Sequence, residues 1–301
     1  MRVAILDSHL NVLTRESVPT GLDSSPDDSC RLMIQMIDAN SKQIGRESLL
    51  GVGISAPSVD KRIGSLIKPP NLPNWDGYSI SKFVKCQLGL PVVIGNDASL
   101  AALGEHRLGA GNGVENMLYY TLSTGIGGGI IIDGRLYDGK KGFAGELGHI
   151  TVEPEGRICN CGNRGCLELY ASGPSIVRGV TEARKNGRAT SLSCDVPVST
   201  AAVFKASSAG DGLCSEVIAK AGKYLGLGIL GAMHAFEPER IVIGGGVSAG
   251  FDQLFPFIKQ QISEHAMAHF EGGMDIRVAT LGEDSAVIGA ACYLSDNLHN
   301  G

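Results

Sequence analysis

Apolar residues follow two periods along this chain, and each change of period marks an element. Residues 3–6 and 11–19 read as two short β runs across the turn-forming Asp7-Ser8-His9-Leu10, which predicts an opening hairpin. Leu32, Met33, Met36 and Ile37 then recur at helical spacing and predict a helix over 26–46. Compact apolar runs at 49–54 and 91–94 predict strands around a helix at 80–88, and a further helix, 98–107, opens directly after Asn96-Asp97. Pro69, Pro70 and Pro73 predict a rigid irregular loop between 68 and 75. Beyond the glycine-broken stretch 109–113 come a strand at 117–123, a hairpin at 128–137, helices at 173–186 and 213–235, a strand at 240–243, a helix at 250–262 and a last helix at 285–294. Strands alternating with helices in this way predict an α/β fold.

Composition narrows the function classes. The 301 residues are 43% hydrophobic and 19% charged with a net charge of -5, so no basic surface for nucleic acid is expected. No apolar run approaches the ~20 residues that span a bilayer, so no membrane partner is expected either. The opening Met1-Arg2-Val3-Ala4-Ile5 lacks the form of a secretory leader, and Cys30, Cys86, Cys194, Cys214 and Cys292 are scattered singly. Both features point to a reduced, cytoplasmic protein.

Cys159-Asn160-Cys161-Gly162-Asn163-Arg164-Gly165-Cys166-Leu167-Glu168 follows closely on Gly145-Glu146-Leu147-Gly148-His149. Three thiols in one glycine-bearing turn, with an imidazole in reach, suit a closed tetrahedral Zn2+ site made by His149, Cys159, Cys161 and Cys166. A disulfide to Cys166, or thiols put to no use, are the alternatives; a Cys159–Cys161 bridge would close a very small ring. Glu146 and Glu168 are carboxylates beyond what the metal needs, and they point to an adjoining polar site.

Two glycine loops invite a second reading. Residues 124–129 lie between two strands, and Gly244-Gly245-Gly246 ends a strand before a helix. Backbone N–H groups in such loops can meet phosphate oxygens, and the same loops serve as tight turns; sequence alone leaves both open. Neither continues into the Gly-Lys-Ser/Thr of a Walker loop. Gly51-Val52-Gly53-Ile54-Ser55-Ala56 fits a dinucleotide fingerprint only nominally, since Pro57 follows where a helix would have to open. Asp97, at a strand end, is either a catalytic acid or an N-cap.

Taken together, Pro69-Pro70-Asn71-Leu72, Gly95-Asn96-Asp97-Ala98, the 101–105 segment, the 124–129 loop, the Gly145 to His149 turn, the cysteine motif and 243–248 resemble the ROK family of sugar kinases and repressors. Among its kinases the chain is most similar to the glucokinases. The resemblance implies an actin-like ATPase (ribonuclease H-like) fold of two α/β domains with an interdomain cleft: 1–113 as the small domain, with a C-terminal helix 284–298 returning to it, and 114–283 as the large domain carrying the cysteine loop. It implies ATP with Mg2+ and a hexose as substrates, with Asp97 as the general base toward the 6-hydroxyl. Asn71, Asn96, Glu146, His149 and Glu168 would hold the other hydroxyls, His149 using one ring nitrogen for sugar and one for zinc. Thr124, Gly125 and Gly127 would meet phosphates, and Gly244, Gly245 and Gly246 the adenosine. A homodimer is expected on the same ground.

Departures from the family pattern shape the expectations. The family's first strand ends in Asp-x-Gly-Gly-Thr, which handles ATP phosphate and magnesium, and residues 1–7 match instead the strand that follows it. Without that strand its neighbours are expected to carry unpaired backbone groups. Ser123 and Ala56 stand where glucokinases usually have glycine, and Ala56 with Ser58 alters the loop near the sugar, which brings N-acetylmannosamine and N-acetylglucosamine into consideration. A non-catalytic sugar sensor or an inactive truncated kinase is the competing expectation, although no helix-turn-helix precedes the kinase-like part.

Overall fold

The alternating pattern is realised as paired strands and packed helices in a computed structural model that describes residues 1–20, 25–270 and 272–299. The chain begins with β1 (Arg2–Leu6) and β2 (Val12–Ser17), α1 (Pro26–Asn40), β3 (Val52–Ala56), β4 (Val59–Asp60), β5 (Ser65–Leu66), α2 (Ile80–Leu88), β6 (Val92–Asn96) and α3 (Asp97–Leu108). It continues through β7 (Met117–Leu122), β8 (Ile126–Ile132), β9 (Arg135–Leu136), α4 (Glu168–Ala171), α5 (Gly173–Lys185), α6 (Thr200–Ser208) and α7 (Gly212–Phe236). The last elements are β10 (Arg240–Gly244), α8 (Phe251–His265), β11 (Asp275–Val278) and α9 (Ser285–His299). Two compact units result: Met1–Gly113 with Gly129–Gly145 and the residues from Thr280 onward, and Val114–Gly128 with Glu146–Ala279.

In the first unit β1 pairs antiparallel with β2, β4 pairs antiparallel with β5, and β3 runs parallel to β6 with Ala56 opposite Asn96. Among the described residues these pairs stay separate from one another. Cohesion comes from helices instead. A Cβ on Gly289 would lie 1.7 Å from the Leu100 carbonyl oxygen, and one on Gly104 2.1 Å from that of Ser285, so α3 and α9 cross with backbones nearly touching. Beside the crossing the fully buried Glu105 carboxylate accepts the N–H groups of Ala110 (3.0 Å), Thr280 (3.1 Å) and Leu281 (2.9 Å) and the Ser285 hydroxyl (2.8 Å). A buried charge is tolerated when its lone pairs are filled in this way. The consequence is a firm seat for α3, whose first residue is Asp97.

In the second unit β10 lies between β7 and β11 and is parallel to both (Arg240 opposite Met117 and opposite Asp275), in a sheet ordered β11-β10-β7-β8-β9. All five β10 residues are buried, as a strand with both faces covered requires. Helix α7 starts at the Asp211 N-cap, which accepts from the Cys214 N–H at 2.9 Å. Along it Gly222 and Gly226 admit α8, since a Cβ on Gly222 would come within 2.9 Å of the Leu254 carbonyl oxygen.

Four expectations need correction, the first being the 124–129 loop, of which only Thr124 and Gly125 lie between strands because Gly127, Gly128 and Gly129 belong to β8. Helix α1 ends at Asn40 and not at 46, because the Asn40 side chain donates to the Met36 carbonyl (2.9 Å) and Gly45 takes a φ of 79°. The proline loop contains a 3₁₀ turn, Pro73–Trp75, because proline at a first helical position has no N–H to lose. The last helix runs on to His299. Helix α6 and strand β11 had no counterpart in the pattern.

Candidate functional site

The cysteine loop is shaped by its two left-handed glycines. Gly162 (φ 93°) turns the chain so that its N–H reaches the Cys159 carbonyl at 2.9 Å, and the Cys159 N–H reaches Asn163 O at 2.7 Å. Gly165 (φ 74°) packs its α-carbon onto Glu153 and accepts the Val152 N–H at 2.9 Å. The loop thereby folds back on the 149–153 segment, and a donor atom from each of His149, Cys159, Cys161 and Cys166 falls within 4.8 Å of the others. His149 Nδ1 is 3.7 Å from Cys159 Sγ, and Cys161 Sγ is 3.6 Å from Cys166 Sγ. A tetrahedron of ~2.3 Å zinc–sulfur bonds has edges of about 3.8 Å, so the donor set fits that ion.

The surrounding chemistry agrees. Burial, reinforced by hydrogen bonding to Cys161 and Cys159, pushes the Cys166 thiol up to about 12, and burial also raises Cys159. Such thiols keep their protons unless a cation takes their place. Asn163 Nδ2 donates to Cys166 Sγ (3.5 Å) and to Thr151 Oγ1 (3.0 Å), orienting the sulfur from outside. On the other side of the imidazole, Nε2 lies 3.8 Å from Glu146 Oε2. His149 therefore shows one nitrogen to the thiols and the other to an exposed carboxylate.

Glu168 stands at the start of α4, two residues past Cys166, and its Oε2 accepts the Ile126 N–H at 2.9 Å. A Cβ on Gly125 would sit 2.4 Å from that oxygen, which explains glycine there. The turn from Ser123 to Ile126 joins β7 to β8: Ser123 N–H donates to Gly125 O (2.9 Å), and Ser123 O accepts from Gly173 at the head of α5 (3.0 Å). Thr124 is exposed, with Gly125 and Gly127 half-buried. The second glycine loop lies at the end of the neighbouring parallel strand. Gly244 and Gly245 are glycines for packing, a Cβ on either falling 2.4 Å from Tyr119 Oη or Leu122 O, whereas Gly246 faces open space. The carboxyl ends of adjacent parallel strands thus both finish in glycine turns, the usual ligand-facing edge of an α/β sheet.

In the first unit the two readings of Asn96-Asp97 separate. Asn96 is the N-cap of α3, its Oδ1 accepting from Ala98 (3.0 Å) and Ser99 (3.3 Å). Asp97 is the first helical residue, with Oδ1 2.8 Å from the Ala98 nitrogen and its side chain open to solvent. The protein massed around it nevertheless disfavours the charge and raises its carboxyl above the ordinary value, desolvation outweighing the Ala98 N–H. Asn71 is exposed on the turn in which Leu72 N–H returns to Pro69 O (3.1 Å), a loop anchored by buried Trp75. Glu105 escaped the sequence reading, since nothing local marks a carboxylate whose partners Thr280, Leu281 and Ser285 lie far along the chain; Asp211 was missed although its N-cap position three residues before Cys214 is a local signal.

Residues 1–297 match the ROK family. A glucokinase from Halalkalibacterium halodurans is 37% identical across 96% of this chain and 90% of its own length. The crystal structure of a ROK family transcriptional regulator, homologous to the E. coli MLC protein, superposes with a TM-score of 0.87 at 28% identity, covering 98% of this chain and 74% of that one. That of a ROK family glucokinase from Streptomyces griseus, in complex with glucose and AMPPNP, gives 0.79 at 29% identity over 97% and 95%. The fold is the actin-like ATPase fold of these sugar kinases. Among the described residues no helix is long and apolar enough to cross a membrane.

Proposed function

Because the chain belongs to the ROK family, we propose that it is an ATP-dependent hexose kinase acting on the 6-hydroxyl of glucose or a close relative. The observation that carries this is the division of labour at α3: Asn96 caps the helix, so Asp97 is left as an exposed carboxylate with a raised pKa. A carboxylate so placed is suited to take the hydroxyl proton as the γ-phosphoryl group arrives. Asn71, the Asn96 amide, Glu146, His149 through Nε2 and Glu168 hold the remaining hydroxyls. Thr124, Gly125 and Gly127 receive the phosphates of the magnesium complex of ATP, and the Gly244 to Gly246 turn receives the adenosine. Phosphoryl transfer asks the protein mainly for alignment and charge stabilisation, which these groups supply. Zn2+ held by His149, Cys159, Cys161 and Cys166 supplies structure: it fixes the imidazole and the start of α4.

The choice of hexose turns on the loop after β3. Ala56 is buried opposite Asn96, and Ser58 adopts a left-handed φ of 51°. An altered loop beside a hydroxyl-binding residue keeps N-acetylmannosamine and N-acetylglucosamine as alternative substrates. The superposition on a transcriptional regulator favours a second reading, a sugar-binding protein without turnover. Incubation with the three sugars and MgATP separates these readings: stoichiometric ADP and a sugar 6-phosphate are expected, with glucose the best substrate. Sugar-dependent thermal stabilisation with no ADP from any of them would replace the kinase by the sensor.

A further inference from the structure

Both backbone polar groups of Ile126 lie against the segments that carry the four metal-type donors. Its N–H donates to Glu168 Oε2 at 2.9 Å, and Glu168 follows Cys166 by two residues. Its carbonyl oxygen is met by Gly148, where a Cβ would stand only 1.9 Å away, and Gly148 directly precedes His149. Between Cys166 and Glu168, Leu167 is fully buried and donates its N–H to Ile150 O at 2.9 Å, so the carboxylate cannot shift independently of the loop. Ile126 closes the turn that begins at Ser123, and that turn is the one proposed to receive the phosphates.

We propose that Glu168 is a positioning residue for the nucleotide as well as a sugar ligand, coupling the cysteine loop to the Ser123 to Ile126 turn through the Ile126 amide. This rests on the kinase reading for the identity of the nucleotide, although the coupling itself is a property of the turn. A carboxylate accepting a backbone N–H makes one of the stronger hydrogen bonds in proteins. One oxygen, Oε2, aims the turn, while Oε1 is left for a sugar hydroxyl. Opening the donor cluster releases His149 and Cys166, hence Gly148 and Glu168 together, and the turn loses both of its supports. Sugar and nucleotide sites in the second unit therefore share one structural origin.

The test follows the Ile126 amide by NMR hydrogen exchange, alongside calorimetric binding of AMPPNP. In Glu168→Ala the exchange of Ile126 should quicken by about tenfold or more and AMPPNP affinity should fall by a similar factor, as loss of a charge-assisted hydrogen bond implies. Glu168→Gln, which keeps an acceptor, should restore most of the protection, whereas Glu168→Met, of similar bulk but without that acceptor, should not, a split that a mere packing role would not show. Removal of metal by a chelator from the wild-type protein should expose Ile126 while leaving the β10 amides protected. Gly148→Ala supplies the same disturbance from the carbonyl side should Glu168→Ala fail to fold. Unchanged Ile126 exchange on chelation and in the folded variants would overturn the coupling. Failure of the kinase reading would look different: no turnover by any variant, with Ile126 exchange still following Glu168.

Discussion

The two units reach order by different means. The second has parallel strands β11, β10 and β7, of which β10 is buried along its whole length, and a loop whose four donor atoms converge within 4.8 Å. The first has short strand pairs that stay separate among the described residues, and it is tied by a glycine-mediated helix crossing and by one buried carboxylate, Glu105. The contrast shows where each unit is vulnerable. Apolar burial along a sheet is spread over many residues, and losing one contact is tolerated; a polar knot has few members, and each removal leaves others unsatisfied.

The largest effect is expected at the cysteine loop. Cys161→Ala leaves three donors, and if the proposed zinc is bound there, a structural zinc contributing on the order of 10 kcal/mol to folding, the second unit should lose several kcal/mol with a matching fall in Tm. Sugar KM should rise as well, since the proposed sugar ligands His149 and Glu168 are tied to the loop; a stable variant with unchanged sugar affinity would separate the loop from the proposed sugar site. In the first unit Glu105→Ala should cost about 3 kcal/mol or more, read by denaturant unfolding, because the N–H groups of Ala110, Thr280 and Leu281 lose their acceptor. A loss under 1 kcal/mol would show that the α3–α9 crossing alone holds this unit.

A smaller effect is expected at Asp211. Burial alone would raise its carboxyl, but hydrogen bonds from Cys214 and Ser191 N–H and from the Thr190 and Ser191 hydroxyls hold it well below the ordinary value. Its stabilisation is complete above the unfolded pKa near ~3.9 and is lost as pH falls toward the folded value. Asp211→Ala should cost about 1–2 kcal/mol at neutral pH and flatten the acid side of the stability curve. An unaltered acid limb would assign that sensitivity to other carboxylates.

How legible each region was follows from the same contrast. Helix α2, the α5 to α7 frame in part, and β10 could be read from periodicity because burial repeats along one segment. The donor quartet could be read because thiols and imidazole sit within 18 residues of one another. The Ile126–Glu168 bond spans 42 residues and the Glu105–Ser285 bond 180, and no local pattern encodes either. Helix α6, Thr200-Ala201-Ala202-Val203-Phe204, is marked mainly by its cap, Ser199 accepting from Ala202 at 3.2 Å. The end of α1 was misplaced because a side-chain bond from Asn40 competes with the backbone, a choice that propensity does not record.

The proposed chemistry converges on Asp97, whose raised pKa makes two effects opposite in sign. As a base it must be ionised, so kcat/KM should fall as pH drops through a value above that of an ordinary aspartate. For folding, a pKa raised in the native state means that ionisation costs stability at neutral pH, so removing the charge should leave Tm unchanged or higher. Asp97→Asn tests both in one protein, by turnover, calorimetric sugar binding and thermal unfolding. Expected are a kcat lower by about 10²–10⁴, sugar affinity retained and Tm not reduced. Phosphorylation at near wild-type rate by a folded, sugar-binding Asp97→Asn would contradict Asp97 as the base.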